Sequence, residues 1–182
     1  MKHFLQLASG LNTTQALHSL ACQPELWNAN TLRTKHPYTA HAEADDIWLW
    51  FNELPREGDN ARVVDDREVV AYEGWRALPQ LRPFVFGLLT QTEGVRLGRC
   101  MVTRLRPGKR ILPHVDGGAP AEYFSRYQVA LQSLPGALFR IEDESVNFRS
   151  GDVWRINNRA EHSVENNSDD DRIVLIVDIR HG

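Results

Sequence analysis

The chain has 182 residues, 42% of them hydrophobic and 25% charged, which suits one globular domain and leaves little room for two. A formal charge of -3 gives no general electrostatic reason to hold nucleic acid or an anionic membrane. Cys22 and Cys100 alone do not make a disulfide framework, and the N-terminal stretch "MKHFLQLASGLNTTQ" lacks the apolar run of a signal peptide. No span of roughly 20 apolar residues occurs, so the expectation is a cytoplasmic protein.

In chain order, "NTTQALHSLAC", Asn12 to Cys22, reads as a short capped helix with Leu17, Leu20 and Ala21 on its apolar face. "DIWLWF", Asp46 to Phe51, suits a buried strand, and the polar "ELPREGDNARVVDDREV" after it reads as a long loop. "LPQLRPFVFGLLTQTEG", Leu78 to Gly94, reads as a helix with Pro83 in its first turn and Gly94 at its end. From Val95 onward short strands alternate with turns such as "RPGK", "GGAP" and "SLPG". This predicts a mainly β fold with flanking helices, a double-stranded jelly roll. It is one domain: residues 1–94 supply N-terminal helices and edge strands, and 95–180 the core that carries the site. Arg104, Arg106, Lys109 and Arg110 around the first turn read as a solvated group, with Arg104 exposed.

"GKRILPHVDGG", Gly108 to Gly118, places His114 and Asp116 two apart, on one face if the strand continues. "AEHSVENN" adds His162 on a later strand. A His-x-Asp pair alone is more often a turn feature, and a lone His beside Glu161 a surface residue. Together, two His and one carboxylate match the facial set of non-haem Fe(II) oxygenases, which leaves coordination positions open. Arg172 follows in "DRIVLIVDI"; a hairpin symmetric about Asn167 would set it opposite His162. A buried Arg without an obvious carboxylate calls for a ligand anion, and 2-oxoglutarate fits: its keto-acid end can chelate the metal while a guanidinium grips the far carboxylate.

The spacing of "HVD", the later His and the closing Arg resembles the Fe(II)- and 2-oxoglutarate-dependent dioxygenases. "TRLRPGKRILPH", "SRYQVALQ" and "GDVWRINNRAEHSVENNSDDDRIVLIVDI" resemble the aspartyl/asparaginyl β-hydroxylase family over about Val102 to Arg180. The resemblance implies that His114, Asp116 and His162 bind Fe(II), and that Arg172 anchors 2-oxoglutarate with Thr103 and Arg126 in the same pocket. Gln128 stands where better-known members carry a His. Members that modify proteins can have Gly at the carboxylate position; Asp116 makes this chain more similar to the small free-standing bacterial branch and to free amino-acid hydroxylases. The implied reaction consumes O2, splits 2-oxoglutarate to succinate and carbon dioxide, and hydroxylates an unactivated C–H of an amino acid, free or in a polypeptide.

The loops Pro55 to Val70 and Gly117 to Ser125 are expected to close over substrate. His41, near Asp45 and Asp46, is a candidate for facing it, whereas His3, His18, His36 and His181 read as surface or core residues. Trp48, Trp50 and Trp75 read as core, with Trp154 the exception that could reach substrate. The alternatives are a related oxygenase of a lipid, nucleobase or natural product, and a non-catalytic cupin-like metal-binding sensor. A bare metal-binding barrel has no need of the Arg172 and Thr103 clamp.

Overall fold

The structure, a computed structural model, describes residues 1–54 and 67–182. Its elements in chain order begin with β1 (Phe4–Ala8), α1 (Thr14–Ala21), a 3-10 turn (Pro24–Leu26), α2 (Leu32–Lys35), β2 (Asp45–Phe51) and β3 (Val70–Ala71). There follow α3 (Glu73–Ala77), a second 3-10 turn (Pro79–Leu81), α4 (Arg82–Gln91), β4 (Gly94–Leu105), β5 (Arg110–His114), α5 (Gly118–Tyr123) and β6 (Ser125–Gln132). The chain ends with β7 (Ala137–Ile141), β8 (Glu144–Val146), β9 (Val153–Ile156), β10 (His162–Asn166) and β11 (Arg172–His181).

The strands form two sheets, in the orders β1-β9-β6-β11-β4-β2-β3 and β5-β10-β7-β8, and every pairing is antiparallel. Side chains alternate across a strand, so the larger sheet serves two cores. Leu175 and Val177 of β11, with Val129 and Leu131 of β6, pack with Leu20 of α1 and Val85 and Leu88 of α4. The opposite face, with Leu105, Ala130 and Ile156, packs on Ile111, Phe139, Ile141 and Val164 of the smaller sheet. This explains why "RIVLIVDI" is apolar on both faces: its first eight residues are all buried, as a strand between two layers requires. The result is the jelly roll, with helices on the outer face of the larger sheet.

Several elements differ from expectation. "FLQLA" forms edge strand β1, paired to β9 through Phe4 and Ile156, an element outside the expected set. The expected helix over 78–94 splits: Pro79 opens a 3-10 turn, and Pro83 sits at the start of α4. The helix stops at Gln91 because Glu93 takes a left-handed conformation (φ 53°), which turns the chain into β4 at Gly94. The segment after Asp116, read as loop, contains α5. Of the loop expected from Pro55, residues 55–66 lie outside the described residues. Arg104 is not exposed: it donates to Asp45 Oδ2 from Nε (3.1 Å) and Nη2 (2.8 Å) and lies over the Trp27 ring.

At the junction before β9, Gly151 has φ +85°, and a Cβ there would stand 2.6 Å from Leu11 O and 2.7 Å from Leu11 N. The same backbone pair is bonded, Leu11 N–H donating to Gly151 O at 3.1 Å. Gly151→Ala combines the left-handed penalty with a collision against backbone, so urea unfolding should show a loss of about 2–4 kcal/mol.

Candidate metal centre and anion pocket

β5 ends at His114 on the edge of the smaller sheet, where Pro113 costs no ladder hydrogen bond. His114 is registered opposite His162, the first residue of β10, and the two imidazole centroids are 4.2 Å apart. Each ring is fixed by the same device: His114 Nδ1 meets Leu112 O at 2.8 Å and His162 Nδ1 meets Ala160 O at 3.0 Å. With Nδ1 protonated toward a carbonyl, Nε2 is the free lone pair, the tautomer a metal ligand needs.

Asp116 lies beyond the end of β5, so the strand rule does not aim it. Asn158 does: Asp116 N–H donates to Asn158 O (3.0 Å), and Asn158 Nδ2 donates back to Asp116 Oδ2 (2.9 Å). His114 Nε2 is then 3.6 Å from Asp116 Oδ1, and the ligand atoms of His114, Asp116 and His162 all lie within 4.8 Å of one another. A metal with bonds of about 2.1 Å holds neighbouring ligand atoms roughly 3–4 Å apart, so small side-chain movements complete the set.

The protonation states suit a cation. Burial pushes the Asp116 carboxyl upward, but Arg126, His162, the Asn158 amide and His114 outweigh it and hold the group well below the usual carboxylate range. Burial, partly opposed by Asp116, pushes His162 down to about 4, so it is a neutral donor at physiological pH. Arg126 reaches Asp116 through Nη1 and is gripped by Asp178, with Nε to Oδ1 and Nη2 to Oδ2 both 2.8 Å. Asp178 is buried on β11 at an even step from Arg172, hence on the same inner face. Its signal was legible: one acid in an apolar strand. Asn158, in "INNRAEH", carries no such signal. Because Asn158 orients a ligand without being one, Asn158→Ala should weaken Co(II) binding roughly 10–100-fold, read by visible absorbance titration.

Between the sheets, the residues named for the co-substrate line one cavity with His114 and His162: Thr103, Arg126, Gln128 and Arg172. Their roles there differ. The Thr103 hydroxyl donates to Asp46 Oδ1 at 2.8 Å, and Arg33 Nη1 meets Asp46 Oδ2 at 2.5 Å. Arg126 is engaged with the two carboxylates already described. Arg172 is 2% exposed, and its described hydrogen bond goes to a neutral group, from Nη2 to Gln128 Oε1 at 3.2 Å. Among the described residues its buried Nε has no partner, and the guanidinium faces the rings of Phe139 and Phe148 at 5.7 and 5.6 Å. Burial alone lowers its pKa, to about 10, which leaves it cationic at neutral pH.

The convergence of His162 and Arg172 does not come from a hairpin. β10 belongs to the smaller sheet and pairs with β5 and β7, while β11 belongs to the larger and pairs with β4 and β6. The "NNSDD" segment crosses between sheets, so the two side chains meet across the interior rather than side by side. Asn166, fully buried, shapes the crossing by donating to Leu105 O and Asp170 O, both at 2.8 Å.

Two further features adjoin the ligands. The His41 ring is 4.6 Å from that of His114 and lines the cavity; burial, then Arg33 and His114, keep it neutral. A neighbouring cleft is walled by Arg33, Arg99, Arg126 and Asp116 over Phe51 and Met101. Arg33 and Arg99 lie in segments whose sequence held no ligand spacing, and they were missed. Trp154 is core: it stacks on Phe148 and donates to Asp152.

Known structures share the fold. The fold resembles a viral collagen prolyl hydroxylase from Paramecium Bursaria Chlorella virus-1, with a TM-score of 0.58 over 99% of this chain and 96% of that one at 10% identity. A Trichoplax adhaerens prolyl hydroxylase, solved with a hypoxia-inducible-factor peptide fragment, matches with a TM-score of 0.59 at 14% identity, covering 98% and 83%. An oxidoreductase of the 2OG-Fe(II) oxygenase family from Burkholderia pseudomallei matches with 0.52 at 13% identity, covering 75% and 66%. At these identities the likeness is one of fold, the jelly roll that these three proteins share with this chain. The family described as Aspartyl/Asparaginyl beta-hydroxylase matches residues 21–182, and the chain belongs to it. A search of curated proteins finds no match.

Proposed function

We propose that the protein is an Fe(II)- and 2-oxoglutarate-dependent hydroxylase whose prime substrate is an amino acid, free or within a polypeptide. The observation that carries this is Arg172: a buried cation with an unpartnered Nε, in the same cavity as two imidazoles whose Nε2 atoms are free. A dicarboxylate with a metal-chelating end answers both at once. His114, Asp116 and His162 would hold Fe(II), and Arg172, with Gln128 and Thr103 beside it, would hold the far carboxylate. When bound, the metal supplies the O2 activation that couples decarboxylation of 2-oxoglutarate to insertion of one oxygen into a C–H bond.

The chain's own residues do the rest. Arg126 and Asn158 keep Asp116 ionised and aimed, and the carbonyls of Leu112 and Ala160 keep the imidazoles in one tautomer. Phe139 and Phe148 keep water from the Arg172 end. The cleft walled by Arg33, Arg126 and Asp116 over Phe51 and Met101 adjoins the ligands and supports entry of the prime substrate beside Asp116. The Trichoplax neighbour's peptide fragment makes a polypeptide substrate a natural form of this reading.

The test is aerobic incubation with Fe(II), ascorbate and 2-oxoglutarate against panels of amino acids and peptides. Succinate release coupled to a product heavier by about 16 Da, one oxygen atom, supports the reading. Metal binding without succinate under any of them would favour the sensor.

A further inference from the structure

A second group of metal-binding side chains lies where the chain enters β1. His3, Glu142 and Asp143 each offer a donor atom, and these atoms all lie within 4.8 Å of one another. Glu142 and Asp143 form the turn between β7 and β8, and His3 directly precedes β1, so the group joins the two sheets. Backbone contacts hold it in place. The Glu144 carboxylate accepts from Lys2 N–H at 2.6 Å and from His3 N–H at 2.9 Å, and Asn157 N–H donates to His3 O at 2.9 Å. The imidazole is the telling member. Its side chain is 2% exposed, and among the described residues its buried Nε2 makes no hydrogen bond, although Glu142 Oε2 stands 3.1 Å away. Two atoms bound to one ion at about 2.1 Å are roughly 3–4 Å apart and need no hydrogen-bond alignment with each other.

We propose that His3, Glu142 and Asp143 bind a divalent transition-metal ion of the Zn(II) class, which ties β1 to the β7–β8 turn. A nitrogen donor beside two carboxylates selects this class over Mg(II) and Ca(II), which take oxygen ligands. Asn157 Nδ2 stands 3.2 Å from His3 Nδ1. A half-turn of that amide sets its oxygen there to accept the Nδ1 proton, which leaves Nε2 its lone pair. The turn is exposed, so water completes the coordination. Lys2 Nζ, 3.6 Å from Glu142 Oε2, is an exposed competitor whose screened pairing is weak and yields to a divalent ion. Glu142 N–H also donates to Glu161 O at 3.0 Å, so the ion braces the strand end that carries His162.

Isothermal titration of the whole protein with Zn(II), in excess Mg(II) and without 2-oxoglutarate, tests this apart from the hydroxylase reading. A C22S background removes the exposed thiol. That parent should bind two equivalents. H3A and E142Q/D143N should each lose one, H114A should lose the other, and H3A/H114A should bind none. Zn(II) should raise the melting temperature of H114A and leave that of H3A/H114A unchanged. If H3A fails to fold, E142Q/D143N, at an exposed turn, still reads the site. Both equivalents retained in folded H3A or E142Q/D143N, no Zn(II) bound by H114A, or displacement of the H114A equivalent by Mg(II) would each overturn the proposal. An equivalent lost in H3A and none lost in H114A would instead support this site and count against the hydroxylase centre.

Discussion

Arg172→Met should raise the KM for 2-oxoglutarate by at least about 100-fold while leaving the melting temperature unchanged or higher. The two effects have one cause. In the free protein the guanidinium is almost wholly buried and meets the neutral Gln128 oxygen and two aromatic rings, so the fold bears its desolvation without an opposing charge. A methionine of similar length removes that cost and packs on Phe139 and Phe148. With the diacid bound, the guanidinium gains the carboxylate it lacks, and losing one partner of a buried ion pair costs about 3–5 kcal/mol, more than a hundredfold in affinity. Succinate release across a 2-oxoglutarate series and a thermal melt with and without the diacid measure both. Wild type should melt higher with 2-oxoglutarate, and Arg172→Met should lose that increment. A variant that melts far lower and still responds to the diacid would make Arg172 a structural residue.

The residues of the site were more legible than their geometry. His114, Asp116, His162 and Arg172 stand out by type: each is polar beside a run that folding must bury. The sequence misleads about how they meet. Strand alternation was expected to aim Asp116, yet β5 ends at His114 and an asparagine far along the chain does the aiming. A symmetric hairpin was expected to pair His162 with Arg172, yet the turn composition that closes a hairpin also serves a crossing between sheets. What separates them is the bonding of Asn166 to Asp170 O within the crossing and to Leu105 O at the end of β4, which no local pattern reveals. Arg126 shows the same limit. Its place on the inner face of β6 follows from alternation with Gln128, but its commitment to Asp116 and Asp178 is a long-range pairing. The helical flank was visible through its 3.6-residue pattern, whereas β1 was not: five residues at a sheet edge carry too little periodicity to separate strand from coil.

His114→Ala should abolish succinate release and Co(II) binding, yet shift stability by no more than about 1 kcal/mol. The ring is at the rim, with 16% of the side chain exposed, and it contributes one backbone hydrogen bond and contacts to His41 and His162. The charge that could unfold the site is Asp116, and it does not depend on His114: Arg126 and Asn158 still neutralise and bond it. Two ligands remain, one a carboxylate already shared with a guanidinium, and such a pair cannot hold a divalent ion against water. Asp116→Ala gives the complementary case, since it also removes the metal but strips Arg126 of one of its two acids, so it should unfold earlier than His114→Ala. Spectroscopic metal titration beside chemical denaturation of both variants separates the roles. Full turnover in His114→Ala would remove the metal centre from the account, and equal stability of the two variants would remove Arg126 as the group that holds Asp116.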